Sequence, residues 1–215
     1  MSPFDNLTNL QKTRLFSLLN IHTYIYQKNE NMISTFKSEN IIGIILRGSA
    51  KLVNSYYNGN EIILEILRKD SVFGTNISVI NDRDSQLIAN EETEIAVINY
   101  ELLFNNQYIN YSYFNRFINN LFKIISLKYK KTNEKLRVLS QKSIRDKLLE
   151  YFEIQYQKSH SRVIELPFTL KDLADYLVVN RTSMFRELKY LKEDRFIKTN
   201  GNKITLLYKD NLVIY

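Results

Sequence analysis

The sequence predicts an α+β protein with an N-terminal β domain, a long helix, and a small C-terminal domain of helices and a hairpin. Three observations predict this fold class. Short β-branched and aromatic runs recur in the first half, helical apolar spacing begins at residue 111, and two short amphipathic helices follow near the C-terminus. We place the domain boundaries at residues 1–110, 111–138 and 139–215. The length of 215 residues fits this division, at about 150 residues per domain.

The first half predicts a sandwich or barrel. A short helix over residues 6–19 precedes β-prone segments at 24–26, 41–46, 50–53, 62–67, 86–89 and 95–98. Turn-forming residues separate these segments, and Asn58-Gly59 between two apolar runs is the strongest hairpin signal. Several short strands at this spacing are typical of two packed antiparallel sheets or a closed barrel.

The composition excludes the machinery of most enzymes. The chain has no Cys, which excludes disulfides, thiol catalysis and cysteine-held zinc or iron–sulfur sites. Its two histidines, His22 and His160, lie in no metal-binding or catalytic motif, and no glycine-rich phosphate loop occurs. We therefore expect a protein without enzymatic activity, metal or cofactor. A metal-dependent jelly-roll enzyme is disfavoured because its histidine ligands are missing.

Two features predict a cytoplasmic protein that does not enter a membrane. No apolar run approaches the roughly 20 residues that a membrane-spanning helix needs. The first five residues, from Met1 to Asp5, lack the basic and apolar regions of a signal peptide. The absence of Cys fits the same compartment.

Residues 111–138 predict a long helix that is apolar on two sides. No Pro or Gly interrupts the chain between Gly74 and Pro167, and Phe122 and Leu127 widen the apolar stripe beyond one seam. One side would pack on the β domain and the other on the same helix of a second subunit. A core helix in a monomer is the competing interpretation. The expected dimer-interface residues are Phe114, Phe117, Ile118, Leu121, Ile124 and Ile125.

Charge is distributed unevenly along the chain. Residues 1–110 carry 9 basic and 12 acidic side chains, whereas residues 111–215 carry 21 and 11, within a net charge of +7. The first half is therefore at −3 and the second at +10. Such asymmetry indicates that the basic half binds a partner, for which nucleic acid is the common choice.

The C-terminal pattern predicts a winged helix-turn-helix. A helix over residues 140–156 precedes two shorter ones. Thr169 and Asp172 form a capping box that begins the first short helix, and Asn180 is a good N-cap for the second. A hairpin over residues 197–206 follows. In this motif the second short helix enters the major groove of DNA.

The exposed side of that second helix and the basic residues around it form the candidate DNA-binding surface. Arg pairs with guanine through two donors, hydroxyls reach bases or phosphates, and Lys suits phosphate contacts. The expected base-reading residues are Arg181, Thr182, Phe185 and Arg186. The expected backbone contacts are Lys171, Ser183, Lys189, Lys198 and Lys203. The alternative is a ligand-binding module whose basic C-terminal domain binds protein or RNA.

The sequence resembles Crp/Fnr-type transcription regulators along nearly its whole length. Residues 169–191 are similar to the family's helix-turn-helix pattern, and residues 144–149 to the helix before it. Residues 45–52 and 70–74 are similar to turns of its cyclic-nucleotide-binding-like jelly roll. The resemblance implies a jelly roll, a dimerisation helix and a winged helix-turn-helix. It further implies a homodimer on a palindromic operator, with RNA polymerase and an unidentified small molecule as candidate partners.

The family's functional residues carry over unevenly. By the resemblance, Arg181 and Arg186 fall on the two recognition arginines, and Thr169 falls on a hydroxyl that contacts phosphate. Thr182 replaces a Glu of many members, so that base contact is expected to be absent. Val178 replaces the usual turn Gly, which predicts either a negative φ or a locally different turn.

The candidate effector pocket, formed by Phe73, Gly74, Thr75 and Arg83, departs further from the family. Cyclic-nucleotide binders place a Glu after Phe-Gly for the ribose, whereas this chain has Thr75. Asp84 directly follows Arg83 and would repel a phosphate. The resemblance therefore implies a protein that does not bind cyclic AMP, with a pocket that takes another small molecule or none.

Overall fold

The computed structural model describes residues 1–32, 40–55, 61–74, 85–167 and 169–208. The chain forms two compact units, Met1–Lys128 and Tyr129–Tyr215. The elements of the first unit are α1 (Asn9–Leu18), β1 (His22–Tyr26), β2 (Ile41–Arg47), β3 (Ser49–Ser55), β4 (Glu61–Arg68), β5 (Val72–Gly74), β6 (Ser85–Ala89) and β7 (Thr93–Asn99). Two 3₁₀ helices, Tyr100–Phe104 and Asn106–Tyr108, precede α2 (Ser112–Leu139), within which the division between the units falls.

The first unit contains two antiparallel sheets. One has the strand order β1-β7-β2-β5 and the other the order β4-β3-β6. The predicted α+β class with antiparallel pairing is confirmed. The register places Ser55 opposite Glu61, so β3 and β4 form the predicted hairpin. The turn residues Asn58 and Gly59 lie outside the described residues. The short strand β5 was not predicted from the sequence.

Apolar side chains from both sheets form the inner core of the first unit. Its largest member, Phe73, is fully buried. A side chain at Gly43 would place its Cβ 2.5 Å from the Phe73 ring, so the glycine on β2 makes room for the phenyl group. The buried residues of this core are Met32, Ile45, Ala50, Leu52, Leu67, Phe73, Leu87, Ala89, Ile95 and Val97.

A second core of the same unit joins α1, the four-stranded sheet and the first half of α2. Phe4 stacks on Phe117 with ring centroids 5.5 Å apart. Leu15 and Leu19 are fully buried in this core with the inward residues of β2 and β7. The same buried cluster also contains Phe114 and Leu121 of α2.

This second core changes the interpretation of α2. Phe114, Phe117 and Leu121 are buried within one chain, so their side chains are not available to a second subunit. Ile118, Ile124 and Ile125 are half-buried. The sequence could not show which apolar side the chain's own β domain covers, because both sides are rich in Phe, Leu and Ile. The apolar residues that α2 leaves exposed are Phe122, Leu127, Tyr129 and Leu136.

The second unit contains a three-stranded sheet and several helices that pack around one core. Its elements after α2 are α3 (Ile144–Ser159), β8 (Val163–Glu165), α4 (Leu170–Leu177), α5 (Arg181–Glu193), β9 (Ile197–Asn200) and β10 (Lys203–Leu206). The sheet order is β8-β10-β9, with Ile164 opposite Ile204. The predicted helices and the hairpin are confirmed, whereas the strand β8 was not predicted.

Among the described residues, no helix combines the length and the apolar character that crossing a bilayer requires.

Candidate nucleic-acid interface

The helix α4 begins with the predicted capping box. The Thr169 hydroxyl accepts a hydrogen bond from the Asp172 amide at 3.3 Å and donates one to Asp172 Oδ2 at 2.7 Å. The Thr169 amide also donates to Asp172 Oδ2, at 3.1 Å. These hydrogen bonds from Thr169 hold the pKa of the Asp172 carboxyl below its ordinary value. The hydroxyl of Thr169 is thus committed to the helix cap, and a phosphate would have to compete for it.

The turn between α4 and α5 places Val178 in the left-handed region, with φ 53° and ψ 54°. Of the two expected alternatives, a negative φ at this residue is therefore wrong. Two backbone hydrogen bonds fix the turn, from the Val178 amide to the Asp175 carbonyl at 3.2 Å and from the Val179 amide to the Ala174 carbonyl at 3.1 Å. The turn therefore keeps the geometry that favours Gly, although the residue is β-branched.

We expect Val178→Gly to stabilise the second unit. Glycine relieves a left-handed penalty of about 1–2 kcal/mol, against an unfolded-state entropy cost of about 0.5–1 kcal/mol. Little burial is lost because Val178 is 69% exposed. The net gain of up to about 1.5 kcal/mol should raise the melting temperature by a few degrees in scanning calorimetry. Val179→Gly, next to it but packed against the core, is the control and should be destabilising. A lower melting temperature for Val178→Gly would contradict this assignment of strain.

The helix α5 begins at Arg181, after Asn180 as its N-cap. The Asn180 Oδ1 atom accepts a hydrogen bond from the Ser183 amide at 3.2 Å, as the sequence predicts. The side chains of Met184, Leu188 and Leu191 are buried in the core of the second unit. Burial of this side fixes which side of α5 faces solvent.

The structure places all four expected base-reading residues on exposed positions of α5. Arg181, Thr182 and Arg186 are exposed, and Phe185 is 42% exposed. Arg181 and Arg186 are five residues apart and thus about 140° apart around the helix axis, so they point in different directions. Arg186 forms no ion pair with any carboxylate among the described residues.

Arg181 forms an ion pair that sequence analysis missed. Its Nη2 lies 2.8 Å from Asp175 Oδ2, in the last turn of α4. The hydrogen bond to Asp175 and the charge of that carboxylate raise the pKa of Arg181, and Asp172 adds to the effect. The sequence does show a carboxylate six residues before the arginine. That spacing alone does not predict an ion pair, because only the folded turn between α4 and α5 brings the two side chains together.

The expected phosphate-contacting lysines lie on exposed positions of α4, α5 and the hairpin. Lys198 is on β9 and Lys203 begins β10, on either side of the turn at Gly201 and Asn202. Lys189 lies 3.7 Å from Glu193 in an exposed i,i+4 pair. The remaining expected contacts are Lys171, which is exposed on α4, and Ser183, which is half-buried.

The candidate effector pocket is described only in part. Phe73 and Gly74 are buried in the first unit, whereas Thr75 and Arg83 lie outside the described residues. The Phe73 ring belongs to the apolar inner core and leaves no room for a side chain at Gly43.

Comparison with known proteins identifies the C-terminal unit. Residues 145–213 match the family model described as the Crp-like helix-turn-helix domain. These residues form a Crp-like helix-turn-helix domain. This match covers α4, the turn, α5 and the hairpin, together with α3. The resemblance that the sequence indicates is therefore confirmed for the helix-turn-helix domain, a DNA-binding type of domain.

Solved structures are similar to this chain in fold over nearly its whole length. The catabolite activator protein of Thermus thermophilus is 16% identical with a TM-score of 0.51, over 95% of this chain and 93% of that one. A CprK variant complexed with OCPA is 16% identical with a TM-score of 0.57, over 92% and 89% of the two chains. The Porphyra purpurea protein ycf28, provisionally named an HTH-type transcriptional regulator, is 25% identical over 187 residues, which are 85% of this chain and 77% of ycf28.

Proposed function

We propose that the chain is a Crp/Fnr-type regulator that binds a palindromic DNA operator as a homodimer and controls transcription there. The observation that carries the proposal is the exposed, arginine-bearing face of α5, set by a capped turn inside a Crp-like helix-turn-helix domain. Arg186, which has no ion-pair partner among the described residues, presents a guanidinium fork that suits the O6 and N7 atoms of guanine. The charge of +10 on residues 111–215 supplies the attraction to phosphates.

The exposed side of α2 supports a dimer. Phe122, Tyr129 and Leu136 recur at seven-residue spacing and are 71%, 69% and 63% exposed. A seven-residue apolar repeat on an exposed helix face is typical of a two-stranded coiled coil. We therefore assign the dimer interface to the seam of Phe122, Tyr129 and Leu136, with Ile118 one turn before Phe122 and Ile125 between Phe122 and Tyr129. This seam replaces Phe114, Phe117 and Leu121 as the proposed interface residues, because those three side chains are buried in the core of one chain.

The edge strand β4 extends this apolar surface next to α2. Lys128 Nζ lies 2.8 Å from Glu65 Oε2 and so links the helix to the strand within one chain. The side chains of Ile63, Leu64 and Ile66 on β4 are about half exposed. A second subunit packed on the α2 seam would cover part of this strand and remove its apolar side chains from water.

The dimer sets the form of the operator. A two-fold dimer presents two copies of α5 to successive major grooves on one side of the duplex. The two half-sites should therefore be inverted repeats whose centres lie about one helical turn apart. RNA polymerase and a small-molecule effector are further partners that we propose from the family.

Selection from a randomised duplex DNA library by the full-length protein tests the proposed function. We expect enrichment of an inverted repeat, with mobility shifts of the enriched duplex that persist against excess random DNA. Equal retention of all sequences would contradict sequence-specific binding. Retention of single-stranded RNA in preference to every duplex would favour the alternative in which the basic C-terminal domain binds RNA.

We expect the protein to be indifferent to cyclic AMP. Thr75 lacks the carboxylate that would accept a ribose hydroxyl, and Asp84 places a negative charge beside Arg83. Titration calorimetry with cyclic AMP should give only heats of dilution, and operator affinity should not change when the nucleotide is added. Saturable binding at micromolar concentration would show that the pocket is of the cyclic-nucleotide type.

A further inference from the structure

The ion pair between Arg181 and Asp175 lies at the start of the DNA-reading helix. Arg181 is the first residue of α5, and Asp175 is in the last turn of α4. Their side chains are 56% and 58% exposed, and the Nη2 to Oδ2 distance is 2.8 Å. The turn with Val178 in the left-handed region brings the two residues together. The pair thus lies on the solvent side of the motif, where a duplex would bind.

The ion pair between Arg181 and Asp175 adds little to the folding stability of the second unit. Exposed ion pairs contribute little to folding, and each helix beginning already has its own cap at Thr169 or Asn180. The burial of α5 rests on Met184, Leu188 and Leu191, to which the ion pair adds nothing. The Asp175 carboxylate therefore affects how Arg181 can bind DNA rather than how stably the unit folds.

Pairing affects the two kinds of DNA contact differently. Arg carries five N–H donors, and the hydrogen bond to Asp175 uses one of them. Attraction to a phosphate depends on net charge, which the Asp175 carboxylate largely neutralises. A guanine contact depends on two correctly placed donors, which the planar fork still offers. Holding the guanidinium in one orientation also lowers the entropy cost of that contact.

We propose that Asp175 is a specificity-determining residue of the DNA-binding surface. Its carboxylate holds and neutralises Arg181, which weakens binding to the phosphates of any duplex more than binding to a guanine of the operator. This inference rests on the proposed function and assigns Asp175 a role in the same site. The charge of Asp172 also acts on Arg181, but the Asp172 carboxylate is engaged in the α4 cap, and its effect on the guanidinium is only electrostatic.

The test compares Asp175→Asn with the wild-type chain on two duplexes at one salt concentration. One duplex is the sequence enriched by selection, and the other is its scrambled version. We expect affinity for the scrambled duplex to rise about threefold to fivefold, since an exposed ion pair is worth up to about 1 kcal/mol. Affinity for the selected duplex should rise less than twofold. The salt dependence of scrambled-duplex binding should steepen by about one unit.

Three further variants separate this role from a general charge effect. Glu165→Gln removes one negative charge from an exposed position of β8 in the same unit, and should leave the ratio of the two affinities unchanged. Asp175→Glu keeps the charge and should keep most of the ratio. In an Arg181→Ala background, Asp175→Asn should no longer change the ratio, because the pair is already absent.

The outcomes distinguish the two proposals. If the wild-type chain binds both duplexes equally, the proposed function fails. If the wild type discriminates and Asp175→Asn keeps the same ratio, only the role of Asp175 is overturned. An equal fall of the ratio with and without Arg181 would also overturn it, since the effect would not act through the ion pair.

Discussion

Phe122→Glu is expected to convert the proposed dimer to a monomer and to weaken binding to the proposed operator by about a hundredfold or more. The side chain is 71% exposed within one chain, so the substitution leaves both cores of the first unit intact. In a two-stranded seam it would bury two carboxylates opposite each other without partners. Each monomer would then bind one half-site and lose the effective concentration that joins the two halves.

Sedimentation velocity at micromolar concentration measures this effect. Lys123→Gln is the control, because it makes the same change of one charge unit at an exposed position of α2 outside the Phe122, Tyr129 and Leu136 seam. It should remain dimeric. Leu121 is unsuitable for this test, since a charged residue there would disrupt the core of the first unit. A dimeric Phe122→Glu variant, or a monomeric wild type, would contradict the assigned interface.

Arg186→Ala is expected to cost about 1–3 kcal/mol on the selected operator, which is about tenfold to a hundredfold in affinity. It should also relax the preference at one base pair of each half-site, because the guanidinium fork that we propose reads guanine is gone. Arg186 is exposed and pairs with no carboxylate among the described residues, so little stability should change.

Lys203→Ala is the matched comparison for Arg186→Ala. Lys203 lies on the hairpin, where a point charge suits a phosphate, so its loss should weaken all sequences alike. The salt dependence should become shallower by about one unit. Repeating the selection with each variant measures both effects. If Arg186→Ala changed neither affinity nor base preference, α5 would not be the reading helix.

The regular elements were predictable because local patterns determine them. Thr169 with Asp172, and Asn180 with the Ser183 amide, cap their helices through neighbouring atoms, so the sequence placed α4 and α5 correctly. The hairpin of β3 and β4 followed from two apolar runs around a turn signal. The strands β5 and β8 were missed because three residues carry too little periodicity to be recognised.

Features that depend on packing between distant segments were not predictable. The apolar sides of α2 are alike in sequence, and only contacts with Phe4, Leu15 and the sheet decide that Phe117 is buried while Phe122 is exposed. The positive φ of Val178 follows from the turn that joins two packed helices. The pair of Arg181 with Asp175 depends on the same turn.

The ratio of two dissociation constants tests the central claim most directly. It compares the full-length protein on the selected inverted repeat and on a scrambled duplex of the same composition, at the same near-physiological salt. Sequence-specific recognition by α5 predicts that the inverted repeat binds about a thousandfold or more tightly. Equal constants that fall together as salt is added would show binding by charge alone and would contradict the account.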